Sequence, residues 1–388
     1  MIRYQPPVAA PLPFAAVAAG AGALLWEPGN ARDALARWLR AHHGARRVLL
    51  TDSGTGALTL ALIAAVRERP GPVALPAYAC YDLATALVGA DATCVFYDVD
   101  PATLAPERDS LAKALAAGAR TVVIVHLYGV PVDVSALGLP GDVIVVDDAA
   151  QGVGARIHGR PLGGAGPLGV LSFGRGKGMT AGSGGALLAN DEHGERLASS
   201  VQGRLLSPER GLRPVVALVG QGLLGGPAGY GFAARLPFLH LGETLYHEPS
   251  PVHELSAAGV AVLEETARRA EADLVVRKKN AERLLRGLAG SARFTAVTVP
   301  AGAEPGYLRL PLLHAAGMRD QVRRAAHLGV QPGYPAPLSV LPALTGRNRS
   351  TTSDFPGART LAERLCTLPT HRFLAEGDLR RLEAWLRG

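Results

Sequence analysis

One lysine in the stretch LSFGRGKGMTAGSGGALLAN, Leu171 to Asn190, has glycine on both sides and a serine, Ser172, five residues before it. An amine in a loop so poor in other side chains is either a solvated loop lysine or one that meets something bulky lying against bare backbone. In the second case, surroundings that lower its pKa let Lys177 form a Schiff base with an aldehyde. Two further stretches carry chemistry where a strand gives way to a helix. TDSGTGAL sets Ser53, Gly54, Thr55 and Gly56 at a helix start, where free N–H groups and the helix dipole attract an anion. Ser-Gly-Thr is also an ordinary N-cap. VVDDAAQ sets Asp147 and Asp148 at the end of an apolar run. A carboxylate there is costly unless a cation or donor meets it, or unless it serves as a helix cap.

These residues need elements to hold them. RVLLTD, PVALPAYA, ATCVFYDVD, TVVIVHLYG and DVIVVDDAAQ read as strands, apolar enough to be buried on both faces, with helical patterns such as SGTGALTLALIAAVRER alternating between them. LGVLSFG and GGALLAND follow. The alternation predicts an α/β chain with a mainly parallel, doubly wound sheet, whose ligands bind at the carboxyl ends of the strands. Beyond about Pro251 a long helical stretch leads into YLRLPLL, MRDQVRRAAHLGV and DLRRLEAWLRG, a smaller α+β domain. The expected division is 1–245 and 246–388.

The chain has 388 residues, enough for two sizeable cores, and 19% charged residues mark it as globular. Its net charge is +7, but the arginines are scattered and no nucleic-acid motif occurs, so no nucleic-acid partner is expected. Cys80, Cys94 and Cys366 have neither metal spacing nor an even count, which points to a reducing, cytoplasmic setting and no metal. Val8 to Trp26 is uncharged, yet Pro11, Pro13, Gly20 and Gly22 make it a poor signal peptide or span. The apolar segment 213–246 is long for a linker and is expected to be ordered or functional. Its possible uses are an interface or core element, a glycine-hinged lid, or contact with a membrane or lipid-linked substrate.

The order of the motifs is informative. An anion cradle, an acid at a strand end and, 29 residues after Asp148, a lysine loop resemble the fold-type-I pyridoxal phosphate enzymes, and among them the sugar aminotransferases of the DegT/DnrJ/StrS family. The likeness rests on SGTGALTLAL, LPAYACYDLATALVGADATCVFYDVDPATL, HLYGVPVD, DDAAQGVGA, SFGRGKGMTAGSGGALLAND and CTLPTHRFL. It implies a large domain with the doubly wound sheet, a smaller C-terminal domain, pyridoxal 5′-phosphate as cofactor and a homodimer. It implies transfer of an amino group, from glutamate, to a keto group on a nucleotide-linked sugar or related polyol. By the same resemblance Lys177 holds the cofactor and moves protons, Asp148 pairs with the pyridinium nitrogen and Gln151 lies near the ring oxygen. Gly54, Thr55, Gly56 and Ser172 bind the phosphate.

Departures from the family narrow what carries over. Where members stack an aromatic residue on the ring, this chain has Cys80 with Tyr81 beside it, and either is the expected contact. The family's Asn-Tyr-Arg segment, which reaches the partner's phosphate, is missing from LYHEPSPVHELSAA, which leaves His247 or Glu248 as the replacement. A catalytically altered regulatory or scaffold protein of the same fold is the alternative. Sugar dehydration, which generally replaces the lysine by histidine, is disfavoured by Lys177.

Overall fold

A computed structural model describes residues 4–23, 29–209, 213–234 and 244–388. Helices α1 (Phe14–Gly22) and α2 (Ala31–His43) precede the main sheet. Its strands are β1 (Arg47–Thr51), β2 (Val73–Pro76), β3 (Cys94–Tyr97), β4 (Thr121–Val125) and β5 (Ile144–Asp148). After the short ribbon β6 (Arg156–Ile157) and β7 (Arg160–Pro161), β8 (Leu168–Ser172) and β9 (Gly185–Ala189) complete it. The order is β1-β9-β8-β5-β4-β2-β3, with β9 antiparallel to both neighbours and the run from β8 to β3 parallel. The predicted mainly parallel sheet is therefore present. Every residue of β2 through β5 is buried, as the unbroken apolar runs require.

Helix α3 (Gly54–Glu68) runs from the carboxyl end of β1 across the sheet and is buried without interruption from Gly56 to Ala65. Around it lie α4 (Asp82–Gly89), α5 (Arg108–Ala116) and α6 (Glu192–Val201). Close approach is demanded at Gly169 in β8, where a Cβ would stand 1.9 Å from the Gly163 carbonyl oxygen.

The apolar segment 213–246 forms α7 (Arg213–Leu224) and α8 (Pro227–Ala233), residues 235–243 lie outside the described residues, and 244–246 carry no regular element. Val215 and Leu218 of α7 pack with Ala16, Ala258 and Val262 in a small apolar cluster, so part of the segment is a core element. Val216, Val219 and Leu223, on the other side, are exposed.

An extended stretch leads to α9 (Ala257–Gly287), whose first half joins the core under the main sheet through Val260 and Leu263. Its second half joins the C-terminal core through Ala281 and Leu284. There β10 (Phe294–Ala296), β12 (Leu310–His314), β13 (Gln331–Pro332) and β14 (Leu365–Leu368) form a second sheet, and β11 (Ala303–Glu304) pairs instead with β6. Helices α10 (Arg319–Arg324), α11 (Pro356–Arg364) and α12 (Glu376–Arg387) cover this part. The residues before α1 also reach it: Gln5 N–H donates to the His327 carbonyl at 3.0 Å, and His371 Nε2 donates to the Pro6 carbonyl at 2.7 Å.

Candidate active site

Lys177 sits in the loop between β8 and β9, closed at its base where Phe173 N–H donates to Gly184 and Ala181 N–H donates to Phe173, both at 2.8 Å. The flanking glycines answer to backbone geometry: Gly176 and Gly178 have φ of +78° and +86°, which L-residues rarely adopt. The half-buried lysine lines a cavity with Gly54, Thr55, Cys80, Asp82, Asp148, Gln151 and Ser172, walled by Leu58, Leu83, Val125 and Val170. Seven of the nine residues singled out from sequence thus share one space.

Gly56 and Tyr81 do not line it. Gly56 N–H donates to the N-cap Ser53 Oγ at 3.0 Å and borders a neighbouring cleft that also holds His247 and Glu248. Ser53 is therefore the ordinary cap that its type suggests, while the N–H groups of Gly54 and Thr55 in the first turn have no helical acceptor. Tyr81 is buried at the N-cap position of α4, so it is Cys80 that borders the cavity. Its thiol donates to Asp82 Oδ2 at 3.3 Å; burial and the Asp82 charge push its pKa up to about 12, which keeps it neutral.

Alternation along β5 separates the two aspartates. Asp147 points away from the cavity and accepts hydrogen bonds from His126 Nε2 (2.6 Å), Gly163 N–H (3.0 Å) and Ala165 N–H (2.8 Å). Burial alone would raise its pKa, but the His126 ring and the two amides outweigh that and hold it below the usual value. Val132 N–H donates to His126 Nδ1 at 2.9 Å, which leaves the ring proton on Nε2. Asp148 faces the cavity with a single amide donor, Ala150 N–H at 2.9 Å. Burial raises its pKa to about 6, against the pull of Ala150 and Lys177.

Gln151 is held at both ends. Its Oε1 accepts from Tyr128 N–H at 2.9 Å and its Nε2 donates to Tyr334 Oη at 2.8 Å. Tyr128 has a left-handed φ of +58°, uncommon for a bulky residue, and its ring stacks on Tyr334 with centroids 5.8 Å apart. Sequence reading missed Asp82, Tyr128 and Tyr334. HLYGVPVD flagged the neighbourhood of Tyr128, but nothing local marks Tyr334, which reaches Gln151 from 183 residues away. Among the described residues no His/Cys/Asp/Glu group is placed to hold a metal.

The sequence model of the DegT/DnrJ/EryC1/StrS aminotransferase family matches residues 14–207 and 252–387. The chain belongs to this family. The fold is that of its fold-type-I members, and the family's cofactor is pyridoxal 5′-phosphate. The chain is similar to sugar aminotransferase CalS13 from Micromonospora echinospora, at a TM-score of 0.78 and 23% identity covering 100% of this chain and 99% of that one. Aminotransferase TlmJ from Streptoalloteichus hindustanus superposes at 0.77 with 25% identity, covering 99% and 98%. In sequence, the L-glutamine:2-deoxy-scyllo-inosose aminotransferase of Streptomyces kanamyceticus is 32% identical over 165 residues, 42% of this chain and 39% of its own length. The chain spans about two fifths of the length of the curated relatives it matches.

The family match leaves out 208–251, which contains α7 and α8. In this DegT/DnrJ/EryC1/StrS member α7 backs the lysine loop. Gln221 Nε2 donates to Thr180 Oγ1 at 3.4 Å, and a Cβ on Gly182 would meet Leu218 at 2.4 Å.

Proposed function

We propose that the protein is an aminotransferase that carries pyridoxal phosphate on Lys177 and moves an amino group from glutamine or glutamate to a keto group of a sugar or cyclic polyol. The observation that carries this reading is Asp148, a buried carboxylate bordering the lysine cavity with one amide donor and a raised pKa. A ring N–H⁺ is the partner that such a group lacks. The cradle fits a phosphate as well: the first turn of α3 presents unpaired N–H groups, and a Cβ on Gly54 would lie 2.6 Å from Ser172 Cβ. The relatives' names include L-glutamine with scyllo-inosose and also UDP-N-acetyl-3-dehydro-alpha-D-glucosamine, which supports an amide donor and a keto group on a cyclitol or on a nucleotide-linked sugar.

When bound, the cofactor supplies an aldehyde for amines and a ring that accepts electron density. The chain supplies the rest. Asp148 holds a proton on the ring nitrogen by charge, and Gln151, clamped between Tyr128 and Tyr334, orients the ring edge. Gly54, Thr55 and Ser172 bind the phosphate, while Leu58, Leu83, Val125 and Val170 exclude water. Lys177 Nζ would anchor the cofactor and, as a base, would move the proton at the substrate Cα.

The test is the donor half-reaction. The loaded protein is expected to turn over once with L-glutamine or L-glutamate, its yellow absorbance falling with formation of pyridoxamine phosphate. It should recover with a keto-cyclitol or keto-sugar, in ping-pong fashion. A loaded protein that stays yellow with both donors would instead be a scaffold of the same fold.

We infer a cytoplasmic homodimer as well. Support comes from the exposed Val216, Val219 and Leu223 of α7, with Phe14 and Phe232, since apolar faces of this kind mark partner surfaces. No helix among the described residues is long and apolar enough to cross a membrane. A Leu223→Ser, Phe232→Ser variant should shift from dimer to monomer in sedimentation. An unchanged dimer, with wild-type binding to anionic vesicles that the variant loses, would assign the face to lipid.

A further inference from the structure

The residues ahead of α1 run from the C-terminal part of the fold to the lysine loop. Gln5 and Pro6 are fixed on the C-terminal part by the His327 carbonyl and the His371 ring. Gly329 makes room for them: a Cβ there would stand 2.9 Å from the Pro6 carbonyl oxygen and 3.3 Å from Gln5 Cβ. Pro6 and Pro7 bring no N–H groups, so this buried stretch has few donors to satisfy. The other end reaches the catalytic loop. Val8 packs on Gly176, the residue before Lys177, where an added Cβ would meet Val8 Cγ1 at 2.7 Å. On the other side of Lys177, a Cβ on Gly178 would lie 3.3 Å from Val153 Cβ. Val153 is itself held, its carbonyl accepting from Nη2 of the buried Arg277 at 3.2 Å.

A loop whose glycines have left-handed φ carries no side chains of its own to pack it, so its backbone is fixed by walls from outside. Here the walls are two valines. Val153 belongs to the main fold, whereas Val8 belongs to a segment whose docking carries a cost. Gln5 is only 1% exposed, yet both ends of its side-chain amide are buried without a partner, and so is His371 Nδ1. An orphaned buried donor or acceptor gives up water and gains nothing. Among the described residues, residues 4–9 are held by two hydrogen bonds against that cost, so they leave their slot more readily than a core strand opens.

We propose that residues 4–9 form a strap that braces the lysine loop, with Val8 as a positioning residue acting on Lys177 through Gly176. Val8 does not line the lysine cavity, so its effect passes through the loop backbone. A docked strap holds the backbone that carries the Lys177 side chain, and a released strap leaves the loop with one wall. The inference rests on the aminotransferase reading for what Lys177 does, and on geometry alone for the contact.

The experiment compares cofactor-loaded, full-length wild type with Val8→Gly, Val8→Ile and Gln5→Leu. Hydrogen exchange read by mass spectrometry needs no turnover. In Val8→Gly the amides of loop 174–181 should exchange roughly 10-fold faster, with β4 and β5 unchanged. Val8→Ile, which keeps the wall, should stay near wild type. Gln5→Leu, which removes the orphaned amide and keeps its bulk, should slow exchange in the loop. In the donor half-reaction, Val8→Gly should lower the rate constant at saturating glutamine roughly 10-fold, while half-saturation moves less than about twofold. Equal loop exchange in wild type and Val8→Gly overturns the proposal. Faster exchange in β4 and β5 as well also overturns it, because the effect would then be a general loss of stability. So does faster loop exchange with an unchanged rate constant, since the strap would then have no hold on Lys177. If none of the proteins turns over, the aminotransferase reading fails and loop exchange alone decides on the strap.

Discussion

Replacing Lys177 by alanine is expected to lower amino transfer by at least about 10³-fold, because one side chain supplies both the covalent anchor and the proton carrier. The loss should reside in kcat. The cavity survives the change, since its walls come from α3, β4, β5 and β8 and not from the lysine stem. The variant should therefore still bind the cofactor, through the Gly54–Thr55 cradle and Asp148, but without the covalent bond. Borohydride reduction followed by peptide mapping checks this: wild type is labelled on Lys177 and the variant is unlabelled. A Lys177→Ala protein that keeps covalent cofactor, or turns over at the wild-type rate, would displace the lysine from its role.

Asp148→Asn is expected to have two effects of opposite sign. With cofactor bound, the variant loses the charge that keeps the ring nitrogen protonated. Breaking a buried charge pair costs about 3–5 kcal/mol, so turnover should fall roughly 10²- to 10³-fold. Without cofactor the variant should be the more stable protein. The folded-state pKa of Asp148 is raised to about 6 from the ordinary aspartate value of 3.8. On raising the pH through that interval the unfolded chain releases its proton first, and the folded protein must then bury a charge. Stability from this group is intact below about pH 4 and is lost as the pH rises to about 6, by about 3 kcal/mol in all. Denaturant unfolding of the cofactor-free proteins should show the gap between variant and wild type opening over that window. A constant gap from pH 4 to 7 would mean that Asp148 is not a buried carboxylate with a single amide donor. Asp147→Asn should not reproduce either effect, because Asp147 already has His126 and two amides and lies off the cavity.

What sequence alone determined was local. The strand that ends at Asp148, the helix that starts after Ser53 and the glycines on both sides of Lys177 are properties of a few consecutive residues. A buried strand needs its apolar run, a first helical turn leaves N–H groups free, and φ values near +80° call for glycine. The order of those pieces along the chain was sufficient to point to the family and the cofactor. Tertiary structure decided what depended on distance. It set Cys80 rather than Tyr81 against the cavity, because Tyr81 caps α4 and is turned into the core. It used up the Gly56 amide in a cap, which spacing could not reveal. It brought Tyr334 to Gln151 across 183 residues and aligned Arg309 with Tyr128, pairings that only the docking of the C-terminal sheet onto the main one creates. It also turned the apolar stretch after Arg213 into a helix that supports the lysine loop through Gln221 and Leu218. Contacts within a turn follow from the backbone, whereas contacts between distant segments follow from how whole faces pack, and a single sequence does not spell out that packing.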